Sequence, residues 1–153
     1  MELYELFGNM PMFKNFTQQE IKQFIKLKVY HQKFQKGDVI INEGDDDSSL
    51  YLLIVGTVSI TKDDNKTPIA RLNPGDIFGE MSFLTKKPRY SSAIADEDVL
   101  VIRMNDDFFE KTDLVMKDKI KDYFIELLIS RLDRMNESVS SIANYAHTRK
   151  LPV

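Results

Sequence analysis

The run from Asn73 to Ala95 constrains this chain more than any other stretch. It opens on a turn signal, Asn73-Pro74-Gly75-Asp76, and continues through Phe78-Gly79-Glu80 into the apolar turn Met81-Ser82-Phe83-Leu84. A helix that starts at a glycine leaves backbone N–H groups open in its first turn. The N–H groups and the helix dipole point the same way there, and glycine lets a ligand come close, so the end suits an anion. Arg89, just after Pro88, adds a planar fork of donors that matches phosphate oxygens. Glu80 is repelled by a phosphate, so its carboxylate fits the hydroxyls of a neighbouring sugar instead. Phosphate donors together with a hydroxyl acceptor point to a nucleotide.

The flanking sequence has the rhythm of short strands. From about Lys28 to Met104, apolar runs alternate with turn residues, the spacing of a jelly roll or small barrel. The predicted strands are Val39-Ile40-Ile41, 50–55, Val58-Ser59-Ile60, 69–72, 92–95 and 99–104, separated by turns at Lys36-Gly37-Asp38, Glu43-Gly44-Asp45, Gly56, Asp63-Asp64-Asn65 and 73–76. Gly37-Asp38-Val39-Ile40 is echoed by Gly75-Asp76-Ile77-Phe78, as a doubled roll would require. Residues 1–30 read as helical, with a short cluster of Leu3, Leu6 and Phe7 broken by Gly8 and Pro11. Thr17 and Glu20 then form a capping box ahead of Ile21, Phe24 and Ile25, one apolar stripe for the core.

Beyond Met104 the pattern is helical again. Asn105-Asp106-Asp107 reads as an N-cap and acidic first turn of a short helix through Glu110, and a second helix runs from Thr112-Asp113 to about Ala146. Within it Ile125, Leu128, Leu132, Met135, Val139, Ile142 and Ala146 fall at spacings of three and four, a heptad seam. An amphipathic helix of that length needs a partner. The regular period favours a parallel homodimer through Ile125, Leu128, Leu132, Met135, Val139 and Ile142; docking of the seam on the chain's own core is the alternative.

The sequence of motifs from Phe78 to Ala93 resembles the phosphate-binding cassette of the cyclic nucleotide-binding domain family: Phe78-Gly79-Glu80, an apolar turn, the short loop Thr85-Lys86-Lys87, Pro88-Arg89, then Tyr90-Ser91-Ser92-Ala93. The resemblance implies a mainly β fold, a jelly-roll β-barrel with short N-terminal helices and a long C-terminal helix. Its divisions would be an N-terminal helical element over 1–30, the roll over 31–104 with the cassette at 73–95, and C-terminal helices over 105–153, with 120–146 for dimerisation. It also implies a cyclic AMP or cyclic GMP ligand. Glu80 would take the ribose 2′-hydroxyl, Arg89 the exocyclic phosphate oxygens, and the N–H groups of Gly79, Met81, Ser82 and Tyr90 the rest of the cradle, with Phe78 and Ser91 beside it. Tyr90 departs from the family, which has alanine, serine or threonine there; a bulky ring either narrows the pocket or stacks on the base. In bacterial regulators of this family a similar long helix forms the dimer axis and touches the base. That likeness brings Met135 and Asn136 near the base, or Arg131 and Arg134 if the register shifts by one turn.

Other functions find less support in the residues. The chain has no cysteine, and His31 and His147 lie far apart, so neither a thiolate centre nor a histidine cluster for a jelly-roll metalloenzyme is expected. Asp45-Asp46-Asp47 lacks the spacing of a calcium loop and reads as a solvated hairpin. Ser91 and Ser92 have no evident base, so no catalytic residue and no enzymatic activity is expected. A net charge of −3 gives no broad footprint for nucleic acid. The stretch after the long helix is too short for a helix-turn-helix, so no direct DNA binding is expected either. The longest apolar runs are too short to span a bilayer and the N-terminus lacks a signal-peptide layout, which favours the cytoplasm with no membrane partner. Two functions remain: a cyclic nucleotide sensor that acts on a downstream protein partner through its C-terminal helix, and a ligand-free domain of the same fold that serves as an interaction scaffold.

Overall fold

A computed structural model describes residues 2–63 and 67–148. The Asp64-Asn65 part of one turn and the tail 149–153 lie outside the described residues. The chain forms two units that divide after Asp113.

The first unit is a roll of eight antiparallel strands: β1 His31–Phe34, β2 Val39–Ile41, β3 Leu50–Val55, β4 Val58–Thr61, β5 Pro68–Leu72, β6 Ile77–Phe78, β7 Ser92–Ala95 and β8 Val99–Met104. They make two four-stranded sheets, ordered β1-β8-β3-β6 and β2-β7-β4-β5. Both sheets are open, so the expected barrel is a roll of two facing layers. The core lies between them: Leu53 and Val101 from one sheet and Val58 and Ala93 from the other are fully enclosed, with Tyr51 and Phe78 at one end. The β-branched and aromatic content of these strands suits a pleated, half-buried surface.

Strands β1 and β6 were not among the expected ones. His31-Gln32-Lys33-Phe34 is polar because β1 is an edge, where a lysine also discourages pairing with another chain. Ile77-Phe78 is only two residues long before Gly79 ends it. Pro68 opens β5, the other sheet's edge, where a missing N–H costs no ladder bond.

Helices α1 (Leu3–Gly8) and α2 (Gln18–Lys26) precede the roll. The capping box of α2 is formed in both directions: Thr17 Oγ1 accepts the Glu20 N–H at 3.2 Å and Glu20 Oε1 accepts the Thr17 N–H at 3.4 Å. Two more helices lie within or just after the roll, α3 (Glu80–Thr85) and α4 (Asp106–Lys111), the latter capped by Asn105, whose Oδ1 accepts the Phe108 N–H at 2.9 Å. A chain of edge-to-face rings joins the N-terminal segment to α4, Phe13 to Phe24 at 4.9 Å and Phe24 to Phe108 at 5.7 Å between centroids. The apolar stripe of α2 thus meets α4 through phenylalanines far apart in sequence. Tyr30 adds a polar stitch, its hydroxyl donating to Asp107 at 2.6 Å; that bond, then burial, pushes its pKa up to about 12.

The second unit is one helix, α5 (Leu114–Thr148), 35 residues long. Ile125, Leu132, Met135, Val139 and Ile142 are each between 47% and 69% exposed along it. No helix among the described residues is long and apolar enough to cross a membrane.

Candidate functional site

Gly79 and Arg89, ten residues apart in the cassette, meet in the structure. Phe78 ends β6 buried, stacked on Tyr51 at 5.2 Å with the planes 15° apart. Gly79 then turns the chain with φ of +82°, and α3 begins at Glu80. Only glycine fits here: a Cβ would stand 2.9 Å from both the Ser49 carbonyl oxygen and Arg89 Nη1. No side chain caps the N-terminus of α3. Glu80 is half-buried on the first turn, Met81 is exposed and Ser82 buried.

Arg89 is the centre of the site. Its residue is only 4% exposed, and it lies between the cassette glycine and the start of β3. Nη1 donates to the Gly79 carbonyl at 3.0 Å, and Nη2 donates to the Ser49 carbonyl at 2.7 Å and to Asp47 Oδ2 at 3.1 Å. The Nε–H is buried and has no partner. Its main chain is pinned as well: the Arg89 N–H donates to the Asp45 carbonyl and the Gly44 N–H to the Arg89 carbonyl, both at 2.8 Å.

Asp47 is the partner of Arg89 that the sequence reading missed. Asp45 and Asp46 are exposed, as a solvated hairpin requires, but Asp47 is half-buried and accepts from Arg89 on one oxygen and from Arg103 Nη2, at 3.1 Å, on the other. Burial works to raise its pKa, but hydrogen bonds from the Ser49 hydroxyl and N–H and from Arg89, with the charge of Arg103, hold the carboxyl well below the usual carboxylate range. The signal for it was the Asp-x-Ser spacing before a strand, an Asx turn in which the Ser49 N–H and hydroxyl both bond to Asp47 Oδ1. In this trio, two guanidinium groups share one carboxylate, which leaves one positive charge over. Arg103 also bonds through Nε to Ser49 Oγ at 3.0 Å, and with Asp47 it lines a polar cavity of about 270 Å³ that reaches Asp107.

Of the other expected residues, Tyr90 is 66% exposed next to Arg89, and Ser91 is half-buried. Ser92 lies in β7, where its Oγ accepts the Glu43 N–H at 2.9 Å, a strand role. Met135 and Asn136 belong to the second unit, where both are exposed on α5.

Residues 31–112 match the model of the cyclic nucleotide-binding domain. The chain is 34% identical over 110 residues, 71% of its length, to a cAMP-dependent protein kinase regulatory subunit of Neurospora crassa, and spans 28% of that protein. It is 30% identical over 136 residues to the potassium/sodium hyperpolarization-activated cyclic nucleotide-gated channel 2 of Mus musculus, covering 89% of this chain and 15% of the channel. Less than a third of either relative is therefore represented. Among solved structures, the catabolite activator protein of Thermus thermophilus superposes with a TM-score of 0.69 at 26% identity, over 87% of this chain and 63% of that one. The match covers more than half of the chain and includes the whole cassette, and on that ground the chain belongs to the cyclic nucleotide-binding domain family.

Proposed function

We propose that this protein is a non-enzymatic sensor domain that binds a cyclic mononucleotide at the cassette and passes occupancy on through α5. The observation that carries the reading is the donor inventory of Arg89. A guanidinium has five N–H groups, and its three hydrogen bonds leave the Nε–H and one Nη1–H for a ligand. A buried donor left without an acceptor is costly, and a guanidinium favours an anion as that acceptor. A phosphate carrying one negative charge answers both N–H groups. In this reading the exocyclic oxygens meet Arg89 and the N–H groups of Gly79, Met81, Ser82 and Tyr90, while Glu80 accepts from the ribose 2′-hydroxyl. Phe78 and Ser91 line the cradle.

Cyclic AMP is the first ligand to test, since relatives of the chain are named for it. Calorimetry should show binding that Arg89→Ala weakens by at least about tenfold, because each charge-assisted hydrogen bond contributes about 1.5–3 kcal/mol. Unchanged affinity would remove Arg89 from the site. Cyclic GMP run beside it measures the preference, with Met135 and Asn136 as the proposed base contacts.

The second half of the proposal concerns α5. Its seam of Ile125, Leu128, Leu132, Met135, Val139 and Ile142 is amphipathic and mostly exposed in a single chain, which supports a parallel pairing with a second copy. A ligand shifts an equilibrium only through differential affinity, so coupling requires the nucleotide to favour one arrangement of this helix. Spin-label distances between Val139 positions, with and without nucleotide, test both pairing and coupling. A monomer at all concentrations ends the first, and distances unaltered by ligand end the second. The response would then reach a downstream protein through the same helix.

A further inference from the structure

The exit of the cassette carries a cluster of side chains that the phosphate site does not use. Lys62, the first residue after β4, donates from Nζ to Glu43 Oε1 at 2.7 Å and to the Tyr90 carbonyl at 2.8 Å. The same ammonium stands 3.8 Å from the centroid of the Tyr90 ring. Glu43 is fixed in turn, its second oxygen accepting the Asp63 N–H at 2.8 Å and its own N–H donating to Ser92 Oγ. The hydrogen bond from Lys62 and the N–H of Asp63 hold the Glu43 carboxyl below its ordinary pKa, and the Glu43 bond raises that of Lys62, so the pair is charged at neutral pH.

A large ring that is two-thirds exposed would ordinarily swing between rotamers. Here the lysine covers one face and ties down the carbonyl behind it, so the ring is held at the position that follows Arg89 in the chain, with its remaining surface open. A rigid aromatic next to an anion site loses little entropy on binding and offers a π-face to a flat partner. We propose that Tyr90, positioned by Lys62 and Glu43, is the stacking platform for the base of the bound nucleotide. This rests on the cassette binding a cyclic nucleotide. Stacking uses the face that every base has, whereas discrimination between adenine and guanine needs contacts to their edges. The platform therefore adds affinity for both purines and selects neither.

The test compares cyclic AMP, cyclic GMP and base-free ribose 3′,5′-cyclic phosphate by calorimetry on the whole chain. Tyr90→Leu, which keeps bulk but loses the π-face, should weaken both nucleotides by roughly fivefold to a hundredfold and leave the base-free compound unchanged. Tyr90→Phe should retain affinity. Lys62→Met should cost the nucleotides a few-fold in the wild-type background and nothing further in Tyr90→Leu, which marks it as acting through the ring. An equal loss for all three ligands would make Tyr90 a structural residue and overturn the proposal. Tighter binding by Tyr90→Leu would also overturn it, by showing that the ring obstructs the pocket. Arg89→Ala separates the two layers: it should weaken the base-free compound as well, and a wild-type chain that binds none of the three defeats both readings.

Discussion

The two halves of the roll contain the same turn twice and put it to different ends. In the first half the Asp38 N–H donates to the Gln35 carbonyl and Asp38 Oδ2 accepts the Gln35 N–H; in the second, Asp76 and Asn73 repeat both bonds at the same 3.0 and 2.8 Å. Each turn then clips to a strand in one way, Gly37 and Asp38 to Ala95, Gly75 and Asp76 to Leu53. After the first turn the chain continues as β2, an ordinary strand. After the second it runs for two residues, meets Gly79 and becomes the cassette. The turn is scaffold in both halves, and the proposed ligand chemistry enters only with the glycine, the short helix and Arg89 that follow it.

The strongest way to break this contrast is at the glycines. Gly79→Ala forces a Cβ against the Ser49 carbonyl, which cannot retreat, and against the Arg89 guanidinium. It should cost about 1–3 kcal/mol of stability and more than tenfold in nucleotide affinity. Gly37→Ala shares the positive φ but meets no atom within 4 Å; it should cost about 1–2 kcal/mol and leave affinity alone. Chemical denaturation and calorimetry on the two variants give the comparison directly, and equal affinities would show that the cassette tolerates a side chain at its entry.

A smaller effect is expected from acid. Asp47 has a depressed pKa, so its stabilising contribution is fully present above the unfolded-state value of about 3.9 and is lost as pH falls toward the folded-state value. Asp47→Asn should therefore show a shallower loss of stability below about pH 4 than the wild type, together with weaker nucleotide binding as Arg89 loses a support. An unaltered acid limb would mean that Arg103 and the backbone carry the load. The smallest effects are expected at the turns themselves. Asp38→Ala and Asp76→Ala should each cost about 0.5–1.5 kcal/mol, with only the second reducing affinity. Unequal stability losses would deny that the two turns are equivalent.

Much of this contrast was legible beforehand, because local chemistry dictates it. The repeated Gly-Asp turns, the Thr17 box, the Asn105 cap and the sequence of residues from Phe78 to Arg89 are statements about neighbours in the chain. What could not be read were pairings across long separations. Asp47 and Arg89 stand 42 residues apart and Arg103 lies 56 from Asp47, so nothing local set Asp47 apart from its exposed neighbours Asp45 and Asp46. Lys62 and Glu43 gave no signal for the same reason. Strand β1 escaped because an edge strand has little need of apolar alternation.

The stack of Tyr51 on Phe78 has a practical consequence. The chain contains no tryptophan and six tyrosines, and Tyr51 lies 5.9 Å from the Arg89 guanidinium carbon, in a rigid and asymmetric setting. Its ultraviolet circular dichroism is thus a built-in gauge of what happens at the guanidinium, readable without dye or label, and a Tyr51→Phe chain supplies the blank.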